Sequence, residues 1–155
     1  MTKRGCGVFL VIAMVLGVSI LAGLGTSSAG TEFTSYSLRG TYRVTFSGFS
    51  VTSGRLESGI GIFVADGLGH ITGTEVFNRG TGTATAVCNV TVAGTYSINP
   101  NGTGTLQATF TSPTPGCSGE FKSALMLYDG SDLVRSISTD PSFVTVNEEW
   151  RRQTE

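Results

Sequence analysis

Apolar residues in this chain recur at every second position, and uninterrupted stripes at helical spacing are missing. Tyr42, Val44 and Phe46 fall on one face with Arg43, Thr45 and Ser47 on the other. Ile60, Ile62 and Val64 repeat the pattern, as do Leu106, Ala108 and Phe110. Leu133 and Ile137 share a face around Arg135, and Val144, Val146 and Trp150 share one around Glu148. A period of two is the signature of a strand with one face hidden from water. Turn residues punctuate the runs. Asp66-Gly67, Asn101-Gly102 and Asp129-Gly130 supply the left-handed conformations that tight hairpins require, and Ser112-Pro113-Thr114-Pro115-Gly116 and Asp140-Pro141 interrupt pairing. The spacing predicts strands at 38–49, 58–65, 69–77, 84–92, 94–98, 103–111, 119–128, 131–138 and 143–151, eight or nine according to whether 84–98 bends at Gly94. VADGLGHITGTE at 64–75 and INPNGTGTLQAT at 98–109 resemble each other at an offset of thirty-five, as a recurring hairpin or as shared hairpin grammar.

This many short antiparallel strands in about 115 residues must hide two sheet edges and one apolar face. Closure does this most economically, so the expected fold is all-β: an antiparallel eight-stranded up-and-down barrel, with a two-sheet β-sandwich as the alternative. Glycines at 59, 61 and 73 inside strands suit tight curvature. A membrane-spanning barrel would need an apolar outer band, which faces rich in Thr, Ser, Arg and Glu do not provide.

The first 29 residues read differently. Lys3 and Arg4 precede VFLVIAMVLGVSILAGL, seventeen residues from Val8 to Leu24 without a charge, and small residues follow to Gly30. A basic start, an apolar middle and a small-residue end describe a secretory signal helix, with Ser27 and Ala29 placing cleavage before Gly30. The expected organisation is a signal peptide at 1–29 and a β-barrel domain at 30–155, secreted or periplasmic. The alternative is an anchor formed by the uncleaved N-terminal helix, although seventeen residues is short for a span. Without residues 1–29, eight basic residues face eleven acidic ones and no basic cluster tracks a phosphate backbone, which disfavours nucleic acid. Cys6 leaves with the signal. Cys88 and Cys117, an even pair 29 residues apart in an exported chain, are expected to form a disulfide.

Gly40-Thr41-Tyr42 opening the first strand, the up-and-down hairpin rhythm and Trp150-Arg151-Arg152 at the end resemble the small calyx barrels of the lipocalin-like and avidin-like type, and also the allene oxide cyclase barrels. Lipocalins open with Gly-x-Trp, and Tyr42 stands in the place of that Trp. GCSGEF at 116–121 and STDP at 138–141 are similar to stretches of small exported bacterial proteins. The resemblance implies a closed barrel around 36–152 and a role for Tyr42, Trp150 and Arg152 in closing one end.

Chemistry-bearing residues are few. His70 is the single histidine; as a general base it needs an orienting carboxylate such as Asp66 or Glu75, and its simplest reading is a solvent-facing strand residue. One histidine and no calcium-loop spacing leave no metal site to expect, and no cofactor motif is present. Glu57, Glu75 and Glu120 make an acid–base pair only if they share the lumen. Ser118 and Ser138 lack a nucleophile elbow. Asn89-Val90-Thr91 and Asn101-Gly102-Thr103 fit the glycosylation acceptor pattern. Tyr42, Phe46, Phe63, Phe121, Tyr128 and Trp150 are the candidate ligand-binding residues: directed inward, they line either a packed core or an apolar pocket, and the small size of the barrel favours the core. The functional expectation is a secreted module holding a small apolar ligand. The alternatives are a barrel-type isomerase or cyclase with a polar pair in the pocket, and an envelope interaction module with a solid core.

Overall fold

The structure, a computed structural model, describes residues 32–81 and 84–154. The expected signal helix at 1–29 lies outside the described residues. The rest is a closed antiparallel barrel of generic calyx type, in which eight strands pair strictly with their chain neighbours and β8 closes on β1. The strands are β1 (Arg39–Ser50), β2 (Arg55–Asp66), β3 (His70–Thr81), β4 (Ala84–Ile98), β5 (Thr103–Thr111), β6 (Gly119–Tyr128), β7 (Leu133–Ser138) and β8 (Phe143–Arg152). Gly94 does not break β4, which stays in continuous register from Thr81↔Ala84 to His70↔Thr95 against β3. The sandwich alternative is therefore set aside.

The two similar segments are the β2–β3 and β4–β5 hairpins, which turn at the same end of the barrel. Gly67 (φ +80°) and Gly102 (φ +82°) occupy the left-handed region in each. The preceding side chain braces each turn: Asp66 Oδ1 accepts from the N–H of Leu68 and His70, and Asn101 Oδ1 accepts from the N–H of Thr103. The likeness is one of turn chemistry used twice.

That end is plugged. A 3-10 turn at Ser35–Ser37 crosses it and drives Leu38 into the interior beside Tyr42, Val134 and Trp150, all without exposed surface. Tyr96 Oη donates to the carbonyl of Leu38 at 2.6 Å and accepts from the N–H of Gly67 at 2.9 Å. Arg152 donates to Tyr42 Oη at 2.9 Å and to the carbonyl of Ser37 at 3.0 Å, with its guanidinium 5.5 Å from the Tyr42 ring centre. The closing role expected for Tyr42, Trp150 and Arg152 is the one observed.

Alternation alone misassigns three faces. Ile60, Ile62 and Val64 point out, at 66, 46 and 44% exposure, because the inward positions of β2 are Glu57, Gly59, Gly61, Phe63 and Ala65. Ile137 also points out beside Arg135, leaving Val134 and Ser136 inside. On β8, register shifts where Ser47↔Asn147 gives way to Gly48↔Thr145, so Val146 is an extra residue. This bulge puts Val144 and Val146 outside while Glu148 and Trp150 turn in.

Cys88, inward on β4, is bonded to Cys117 in the β5–β6 loop, with 5.5 Å between Cα atoms and both residues buried. The bond pins that loop to the open end. Replacing both cysteines with alanine is expected to remove about 2–4 kcal/mol of stability, the usual cost of opening a loop of this length. Urea unfolding of the oxidised protein and the double variant measures the difference; equal midpoints would show that the loop is held by its other contacts.

Candidate functional site

Above the plug the barrel is hollow. A cavity of about 370 Å³ opens between the β1–β2, β5–β6 and β7–β8 loops, with Ser50, Gly116 and Ser142 at its rim and Phe63, Ile71 and Leu106 at its depth. The interior is thus divided, packed at one end and hollow at the other, so that the two alternatives left open by the sequence, core and pocket, are both present.

The wall is a belt of phenylalanines. Phe46 contacts Phe143 and Phe77 at 6.2 and 6.0 Å between ring centres, Phe77 contacts Phe110 at 6.3 Å, and Phe110 stacks on Phe121 at 5.9 Å. These rings come from β8, β1, β3, β5 and β6, so most of the circumference contributes. Deeper in, Phe63 meets Trp150 edge to face at 5.2 Å and marks the floor. Glycines on β2 make room for this. A side chain at Gly61 would meet Cβ and Cγ of Glu75 at 3.2 Å, and one at Gly59 would meet Cβ of Phe77 at 2.6 Å. Both neighbours from β3 therefore lie across β2 into the lumen.

Three carboxyls share this apolar space. Glu57, Glu75 and Glu148 line the cavity at 4, 5 and 6% exposure. Glu57 lies 3.4 Å from Arg79, whose guanidinium also donates to the carbonyl of Gly116 and covers the Phe77 ring. Burial raises the Glu57 pKa, and Arg79 opposes the rise. Glu148 accepts a hydrogen bond from Trp150 Nε1 at 2.8 Å, yet burial still raises its pKa. Glu75 receives no compensating hydrogen bond; burial first and the charge of Glu148 second push it up to about 8. At neutral pH Glu75 therefore holds its proton. Glu120 stands exposed at the rim.

Of the residues singled out in the sequence, Phe46, Phe63 and Phe121 line the cavity. Tyr42 and Trp150 lie beneath it in the plug, and Tyr128 is 43% exposed on the outer wall. His70 is also outside, its Nδ1 2.9 Å from Asp66 Oδ2 at the closed end. Phe77, Phe110, Phe143 and Glu148 were not singled out. The parity of β3 carried a signal for Phe77, two residues from Glu75, and Glu148 stands two residues before Trp150. Among the described residues no group of three or more His, Cys, Asp or Glu is placed to hold a metal ion.

The chain matches no known family model, no characterised protein and no solved structure at a significant level.

Proposed function

We propose that this protein is an exported calyx that binds a small, largely apolar molecule inside its barrel. The observation that carries the reading is the 370 Å³ cavity walled by phenylalanines and open at one end only. Its volume falls within the range of small-molecule sites, and its lining follows their usual plan of apolar walls with few polar groups. A solid-core interaction module fits this interior less well. Export through cleavage of residues 1–29 is part of the proposal, and the Cys88–Cys117 bond supports it because such bonds persist in oxidising compartments.

Native mass spectrometry of the protein purified from its own host tests both parts. The expected result is a polypeptide beginning at Gly30 with a small organic molecule retained and released on unfolding. A full-length chain would overturn cleavage. Protein that emerges empty and fails to take up any apolar dye would overturn the calyx.

One observation favours a second reading. Glu75 holds its proton in a pocket it shares with the buried carboxyl of Glu148, and two carboxyls in one pocket are the equipment of an acid–base isomerase. Comparing the molecule extracted from wild type with that from Glu75→Gln separates the two. The same compound in both supports a carrier; a different isomer accumulating in the variant supports an enzyme.

A further inference from the structure

The cavity is acidic in a way its walls do not explain. Of the three buried glutamates, only Glu57 faces a cation, and Arg79 is already committed to it and to the carbonyl of Gly116. Glu75 and Glu148 have no counter-charge among the described residues. Glu148 is held by Trp150 Nε1, whereas Glu75 is 95% buried, faces the cavity and receives no hydrogen bond from a described residue. A buried carboxyl without a partner is costly, and a fold that wanted only an apolar pocket would do better with leucine there. Among the described residues the lumen thus holds two buried carboxyls and no cation free to pair with them.

That excess discriminates among ligands. A carboxylate such as a fatty acid would enter against the charge of Glu148, with Arg79 already committed to Glu57. A purely apolar molecule would leave both carboxyls as they are. An ammonium group supplies N–H donors and positive charge together, and its apolar remainder fits the phenylalanine belt.

Building on the calyx reading, we infer that the ligand is an amphipathic amine, its apolar body among Phe63, Phe77, Phe110 and Phe121 and its ammonium between the carboxyls of Glu75 and Glu148. Binding then displaces the proton held by Glu75, so one proton leaves the protein as the amine enters.

Three probes with one ring system test this: naphthylethylamine, ethylnaphthalene and naphthylacetate, titrated into the intact barrel and followed by calorimetry. The amine is expected to bind at least about ten-fold more tightly than ethylnaphthalene, and naphthylacetate most weakly. Amine binding is further expected to release a proton, seen as an enthalpy that varies with the ionisation heat of the buffer. In Glu75→Gln and in Glu148→Gln the ratio of amine to ethylnaphthalene affinity should collapse toward one, with thermal unfolding confirming a folded barrel. If ethylnaphthalene binds as tightly as the amine, or the ratio survives both substitutions, the amine inference fails and the calyx stands. If none of the three binds, the calyx reading itself fails.

Discussion

Trp150→Ala is expected to cost the barrel about 3–5 kcal/mol, the usual range for truncating a fully buried large aromatic. Trp150 has no exposed surface and closes the floor between plug and cavity, edge-on to Phe63 at 5.2 Å and to Tyr42 at 6.3 Å. Alanine would open a void continuous with the cavity above, so neighbours cannot collapse into it from one side. It would also strip Glu148 of the indole N–H at 2.8 Å, one of the hydrogen bonds that offset the burial of its carboxyl. For a domain of this size the unfolding temperature should fall by roughly 10–15 °C. Trp150→Phe weighs the two contributions against each other, since it removes the donor while keeping much of the ring packing. Calorimetric unfolding of the three proteins measures the effect; a Trp150→Ala midpoint within about 2 °C of wild type would show that the plug does not rest on this residue.

The second large effect is on pH. Glu75 carries a proton in the folded barrel up to about pH 8, whereas the unfolded chain releases it near 4.5. A raised folded pKa means stability fully present below pH 4.5 and lost progressively as pH climbs toward 8. The shift corresponds to about 5 kcal/mol between those limits. Glu148 and Glu57 are raised as well and act in the same sense, the latter restrained by Arg79. Asp66 and Asp140 act oppositely. Backbone and side-chain donors at their turns hold both carboxyls low, so their contribution is lost only as pH falls below 4. The barrel should therefore be most stable near pH 4–5 and weaken through neutrality. Glu75→Gln should flatten most of that decline and exceed wild type in stability at pH 8. Urea midpoints across pH 4–9 decide it. Wild-type stability that is level or rising from pH 5 to 8 would mean that Glu75 is not held in an apolar environment.

Much of this architecture was written in local chemistry. Alternation gave the strands, and Asp66-Gly67, Asn101-Gly102 and Asp129-Gly130 marked hairpins close to where they occur. The pairing of Cys88 with Cys117 followed from count and context. The site was less legible. Phe46, Phe63 and Phe121 belong to the cavity wall, yet Tyr42 and Trp150, equally aromatic and equally inward, lie in the plug, and Tyr128 faces solvent. Strand parity says that two faces differ and does not say which one is enclosed. On β2 the more apolar face is the outer one, because Phe77 and Glu75 reach across from β3 and only glycine leaves them space. On β8 one extra residue at Val146 reverses parity, and no composition rule announces a bulge.

The order of strands, their turns, the disulfide and the need to close a sheet are near-neighbour properties, set by backbone preference and by the cost of exposed edges, and they are readable along the chain. Whether the enclosed space is filled, and which carboxyls it traps, depends on side chains from β1, β2, β3, β5, β6 and β8 competing for one volume. That competition is settled by register and by distances across the lumen, quantities that come into being only when β8 meets β1.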